Sequence, residues 1–111
     1  MEKEAQTPQE FFETILPVRF NAEKAEGVNV VAQINVSGPE GGNWTIAVKD
    51  QKMQVVEGVH EKPDLTLKMS PEDFLDMVNG KLSAEKAFFT GRVQFKGNIA
   101  VALKLREAGF L

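Results

Sequence analysis

The chain contains no cysteine, no tyrosine and a single histidine, and none of its apolar runs approaches the length of a membrane span. Without thiols there is no disulfide framework, no thiolate metal site and no cysteine nucleophile. One imidazole, His60, makes a His-ligated metal or a catalytic relay hard to assemble. The opening stretch MEKEAQTPQE lacks the apolar segment of a signal peptide, so a soluble, cytoplasmic protein is expected. The glycosylation sequons at Asn35 and Asn43 carry no weight without a secretory route. With 13 Lys plus Arg against 16 Asp plus Glu, the net charge of −3 argues against a nucleic-acid partner. A chain of 111 residues suits one domain, 1–111, able to bury roughly two thirds of its surface.

What is present is well punctuated. Thr7-Pro8-Gln9-Glu10 has the form of a capping box, and Phe11, Phe12, Ile15 and Leu16 then recur at helical spacing until Pro17, where the helix should end or kink. Asn21 and Gly27 can bound a second, very short helix. From Val28 the period changes to two. Val30, Ala32, Ile34 and Val36 share one face, and Gly-rich residues 38–42 turn the chain into Trp44, Ile46 and Val48. Asp50-Gln51-Lys52 connects to Met53 and Val55, completing a three-stranded meander. A crossing loop, 58–64, leads to a fourth strand with Leu65, Leu67 and Met69. Ser70-Pro71 starts a helix with Phe74, Leu75, Met77 and Val78, and Ser83 starts another with Ala87, Phe88 and Phe89. Val93 and Phe95 mark a fifth strand, and Asn98 caps a last helix bearing Ile99, Val101, Ala102, Leu103, Leu105 and Ala108, with Gly109 as its stop. The expected fold is α+β: a single five-stranded, mostly antiparallel sheet, covered by helices on one face.

Candidate reaction chemistry is thin. Gly80-Lys81 resembles part of a phosphate-binding loop, but Leu75 and Leu82 occupy positions that need a glycine and a hydroxyl. Glu72, Asp73 and Asp76 could hold a hard cation, yet the first turn of a helix favours acids through its dipole without any ligand. His60 reads as an exposed loop histidine. Residues 80–111 carry Lys81, Lys86, Arg92, Lys96, Lys104 and Arg106 against Glu85 and Glu107, whereas residues 1–79 carry a net −7. That basic third could make transient contact with an anionic membrane surface, or could be an ordinary solvated face. Eight Phe, one Trp and four Met are enough for a solid core, or for one that encloses a cavity.

Residues 79–105, NGKLSAEKAFFTGRVQFKGNIAVALKL, resemble the sterol carrier protein 2 (SCP-2) domain family. The resemblance lies in Gly80-Lys81, Ala87-Phe88, Gly91-Arg92, the alternating strand, Gly97-Asn98 and Lys104-Leu105. Upstream, Trp44, Asp50, Pro63-Asp64 before Leu65-Thr66-Leu67, and Met69-Ser70 before Asp73-Phe74 fit the same pattern, and Leu16-Pro17 with Phe20-Asn21 is similar to prokaryotic members. The resemblance implies the fold already read from periodicity. It also implies non-catalytic binding of a sterol, fatty acid, acyl-CoA or other lipid in an apolar tunnel between helices and sheet, with no cofactor.

On that footing the residues expected to face the tunnel are Ile15, Trp44, Ile46, Val55, Leu67, Met69, Phe74, Met77, Val78, Phe88, Phe89, Phe95, Val101, Leu103 and Leu105. Gln94, Lys96 and Asn98 are candidates for a polar mouth, Asn98 doubling as a helix cap. Two other readings stay open: an accessory or interaction domain with a filled core that oligomerises or docks to a partner protein, and a lipid-acting enzyme, for which His60 is a poor base.

Overall fold

The computed structural model describes residues 4–39 and 41–107, the last three of these without their side chains. Thr7 caps the first helix through its hydroxyl, which accepts from the Glu10 N–H at 3.1 Å, and Pro8 follows where a missing N–H costs nothing. The helix does not end at Pro17. It runs as α over Pro8–Glu10, opens into a π turn over Phe11–Ile15, and closes again as α over Leu16–Arg19. In a regular helix the Pro17 ring would press on the Glu13 carbonyl and remove its donor. The wider turn, with the Leu16 N–H reaching back to the Phe11 carbonyl, makes room for the ring and keeps the chain helical. The short helix expected between Asn21 and Gly27 is instead a series of turns, with the Asn21 side chain accepting from the Glu23 and Lys24 N–H groups.

Five strands follow: β1 (Val30–Val36), β2 (Gly42–Lys49), β3 (Lys52–Glu57), β4 (Leu65–Met69) and β5 (Val93–Gly97). Their order in the sheet is β3-β2-β1-β4-β5, antiparallel except for the β1–β4 pair. Asp50 and Gln51 both take positive φ in the tight β2–β3 turn. Register aligns the apolar positions in rows across the sheet, Val55-Ile46-Ala32-Leu65 and Trp44-Ile34-Leu67-Phe95, and these make up the inner face. Helices Pro71–Val78 and Ala84–Phe89, capped by Ser70 and Ser83, lie between β4 and β5 in sequence; a last helix runs Ile99–Glu107. Gly97 has φ +130°, and a Cβ there would lie 2.6 Å from the Asp64 carbonyl oxygen, so only glycine suits this close approach of β5 to the start of β4.

The crossing from β3 to β4 spans three strand spacings, about 14 Å, and it passes over the outer face of the sheet. Gln33, on that face, is only 2% exposed. Its amide NH₂ donates towards the carbonyls of Trp44 and Gly58 and the Asn35 side chain, while its oxygen accepts from the His60 N–H at 2.7 Å and the Thr45 hydroxyl at 3.1 Å. One glutamine thus ties the crossing loop to the sheet. Truncating it would leave several partners unsatisfied, so Gln33→Ala should cost about 2–3 kcal/mol in urea unfolding and speed hydrogen exchange at the His60 amide. An unchanged His60 exchange rate would rule this anchoring role out.

Candidate functional site

The inner face of the sheet is covered in two different ways. Over β1 and β2 it is solid: Phe12 stacks on Trp44 with ring centroids 4.7 Å apart, and Phe11 and Phe74 meet Phe12 at 5.4 and 5.3 Å. The π turn supplies Phe11 and Phe12, helix Pro71–Val78 supplies Phe74, and β2 supplies Trp44. Of the residues expected to face a tunnel, Ile15, Trp44, Ile46, Leu67, Met69, Phe74, Met77 and Val78 are buried in this continuous core. Arg19 locks the wedge in place by donating to the Val78 carbonyl at 2.7 Å, while Asn79 exchanges two hydrogen bonds with the Ala5 backbone.

Towards β5 the cover thins. Phe95, Val101 and Ala102 are half-buried against the core, as is Val55 at the opposite edge. Phe88 meets Phe95 at 6.2 Å and Phe89 at 5.8 Å. Yet Phe88 is 44% exposed and Phe89 82%, which corrects the expectation that both point inward. Helix Ala84–Phe89 buries only Ala87, and at about 100° per residue the two positions after it swing away from the core. On the last helix Ile99 and Leu103, four residues apart on one side, are 57% and 50% exposed. Leu105 lies outside the residues whose side chains are described.

Two of the three candidates for a polar mouth are also corrected. Gln94 and Lys96 alternate with Val93 and Phe95, so they stand on the outer face, Gln94 level with Lys68 and Lys96 with Thr66. Asn98 is a helix cap, its side chain accepting from the Ala100 N–H at 2.8 Å. The acidic turn is accounted for as well. Arg92 reaches back to Asp73 and Asp76, its Nε 2.7 Å from Asp73 Oδ1, and the hydrogen bond to Asp73 holds the guanidinium above its ordinary pKa. Among the described residues no group of His, Asp or Glu is arranged to hold a metal ion, and no helix is long and apolar enough to cross a membrane. His60 is exposed and spends Nδ1 on the Lys62 N–H.

A sheet sealed on one side of its midline and loosely covered on the other, with apolar side chains left in solvent there, suits a domain that takes up an apolar molecule. A model of the SCP-2 sterol transfer family matches residues 12–108. The chain belongs to that family. Binding and transfer of lipids is the general activity that SCP-2 membership carries. Hydroxysteroid dehydrogenase-like protein 2 of Rattus norvegicus is 36% identical over 86 residues, 77% of this chain but only 16% of the rat protein. The SCP-2 chain therefore spans about a sixth of that relative's length. Among solved structures, the sterol carrier protein domain 2 of Helicoverpa armigera is 32% identical with a TM-score of 0.66, over 93% of this chain and 82% of that one. A palmitated SCP2L2 from Aedes aegypti is 27% identical with a TM-score of 0.63, over 86% and 92% of the two chains.

The contrast between the two halves can be measured. Phe74→Ala empties a packed position and should cost about 3–5 kcal/mol in urea unfolding, whereas Phe89→Ala should stay within about 0.5 kcal/mol of the parent. Equal losses at the two sites would contradict the division.

Proposed function

We propose that this SCP-2 domain binds one long-chain lipid without chemical change, lodging its apolar chain between the β4–β5 end of the sheet and the last helix, and exchanges it with membranes. The observation that carries this is the apolar cluster left in solvent at that end: Phe88, Phe89, Ile99 and Leu103 beside half-buried Phe95 and Val101. The palmitated Aedes aegypti relative supports a fatty acyl chain as the ligand class. Burying methylenes is worth about 0.8 kcal/mol each, or roughly 12 kcal/mol gross for sixteen carbons. Ordering the chain and docking it offset much of this, leaving micromolar to nanomolar affinity. No bond is made or broken, so no nucleophile or acid–base pair is required.

Lys86 and Lys104 stand on the two helices that carry this cluster, whereas Lys96 is on the outer face of the sheet. Near an anionic headgroup layer each contributes about 1 kcal/mol, enough to bring the apolar cluster to a membrane transiently. Lipid uptake is tested by native mass spectrometry and fluorescent fatty-acid titration. A one-to-one adduct is expected, and Phe89→Ala should weaken uptake while leaving unfolding unchanged; absence of both adduct and uptake in the parent protein would defeat the proposal. Exchanging Lys86 and Lys104 for Glu should lower binding to phosphatidylglycerol vesicles more than about tenfold at low salt, with little effect on neutral vesicles. The filled aromatic wedge favours one other reading, an interaction domain whose exposed cluster is buried against a second copy or a partner protein. A mass in sedimentation that rises with concentration, together with no lipid uptake, would favour it instead.

A further inference from the structure

Of the six asparagines in the chain, Asn79 alone is followed by glycine. It ends helix Pro71–Val78, and Gly80 comes next with φ +79° and nothing within 4 Å of where a Cβ would lie. A residue without a side chain leaves its own backbone nitrogen free to approach the preceding asparagine. Attack of that nitrogen on the side-chain amide carbon closes a five-membered imide, the ordinary route by which Asn-Gly sequences lose ammonia.

The fold holds this amide from both sides. Asn79 Oδ1 accepts from the Ala5 N–H at 2.7 Å and its Nδ2 donates to the Ala5 carbonyl at 2.9 Å, a contact between segments 74 residues apart. Ala5 is 3% exposed, and Glu4 lies 3.7 Å from the Lys81 ammonium, so the segment before the first helix is held against the turn that follows helix Pro71–Val78. The Gly80 N–H is also engaged, donating to the Met77 carbonyl at 3.2 Å, and Asn79 sits at ψ 4°. Imide closure needs the side chain released, the Gly80 nitrogen freed and ψ turned. It therefore waits on local opening.

We propose that Asn79–Gly80 is a site of spontaneous deamidation, that docking of Ala5 sets its rate, and that the reaction unfastens the N-terminal segment. The Gly80 nitrogen gives up its proton to solvent and forms a bond to Asn79 Cγ. The Cγ–Nδ2 bond breaks, and Nδ2 leaves as ammonia with a proton from water. One water molecule then opens the imide at either carbonyl, giving aspartate or isoaspartate. An ionised aspartate has no donor for the Ala5 carbonyl, so two acceptors face each other where the 2.9 Å bond stood. An isoaspartate also lengthens the main chain by one carbon before Gly80. That displaces the Lys81 and Leu82 N–H groups, which both donate to the Asp76 carbonyl, at 2.8 and 3.1 Å, just ahead of helix Ala84–Phe89. The proposal does not depend on lipid uptake.

The whole chain, incubated in mildly alkaline buffer and mapped by proteolysis and mass spectrometry, reports each asparagine separately. Aspartate and isoaspartate are expected at position 79 before any other site, and at least about tenfold more slowly in folded protein than in urea, because only the opened fraction reacts. Ala5→Pro removes the N–H that Oδ1 accepts, and should raise the rate about threefold while emission of Trp44, the chain's one tryptophan, shows the fold intact. Asn79→Asp supplies the product directly, and should speed hydrogen exchange at the Ala5 amide whether or not the proline variant folds. No reaction at position 79, earlier reaction elsewhere, equal rates with and without urea, a folded Ala5→Pro protein that reacts no faster, or unchanged Ala5 exchange in Asn79→Asp would each overturn the proposal.

Discussion

The stacking of Phe12 on Trp44 is the contact from which the rest of the molecule takes its layout. It joins the N-terminal helix to β2 of the sheet, and with Phe11 and Phe74 it fills the space over β1 and β2 with ring edges and faces at 4.7 to 5.5 Å. Aromatic groups packed in this way bury large areas and resist rearrangement, so this half behaves as a fixed block. Whatever opens and closes must do so elsewhere.

The two sides of the fixed block are covered differently. Towards β5 the covering elements are short or weakly seated, and the six-residue helix Ala84–Phe89 leaves two phenylalanines outside. Segments with few buried contacts open at little free-energy cost, which is what a domain that admits and releases an apolar molecule requires. Towards β3 the proline-induced π turn leaves a shallow hollow with Glu13 and Glu57 in its lining. One helix therefore seals the core on one side and shapes a recess on the other.

Polar groups hold this layout rather than reacting. Gln33 fastens the crossing loop, Arg19 and Asn79 join the first helix and its leading segment to helix Pro71–Val78, and Arg92 ties the start of β5 to the same helix. Gln33 is buried, Arg19 and Asn79 are half-buried and Arg92 is exposed; each meets a defined partner, so the connections add specificity at a place where the apolar core alone would permit sliding.

Caps, proline and glycine positions and the change of period from 3.6 to 2 were enough to place all five strands and the helices starting at Thr7, Ser70, Ser83 and Asn98, because these signals are local backbone chemistry. Alternation also held the information that Gln94 and Lys96 lie opposite Val93 and Phe95, and that Glu57 lies with Trp44, had it been carried through to the end of each strand. Periodicity could not distinguish Phe74, locked in the wedge, from Phe89, almost free in solvent, since both are apolar residues on helices and only the seating of each helix on the sheet decides burial. Nor could it show that Pro17 widens its helix instead of ending it, or that Gln33 anchors a loop from 25 and 27 residues away. Local backbone preferences belong to the sequence; which apolar face meets another, and where a hollow remains, is determined only when distant segments pack.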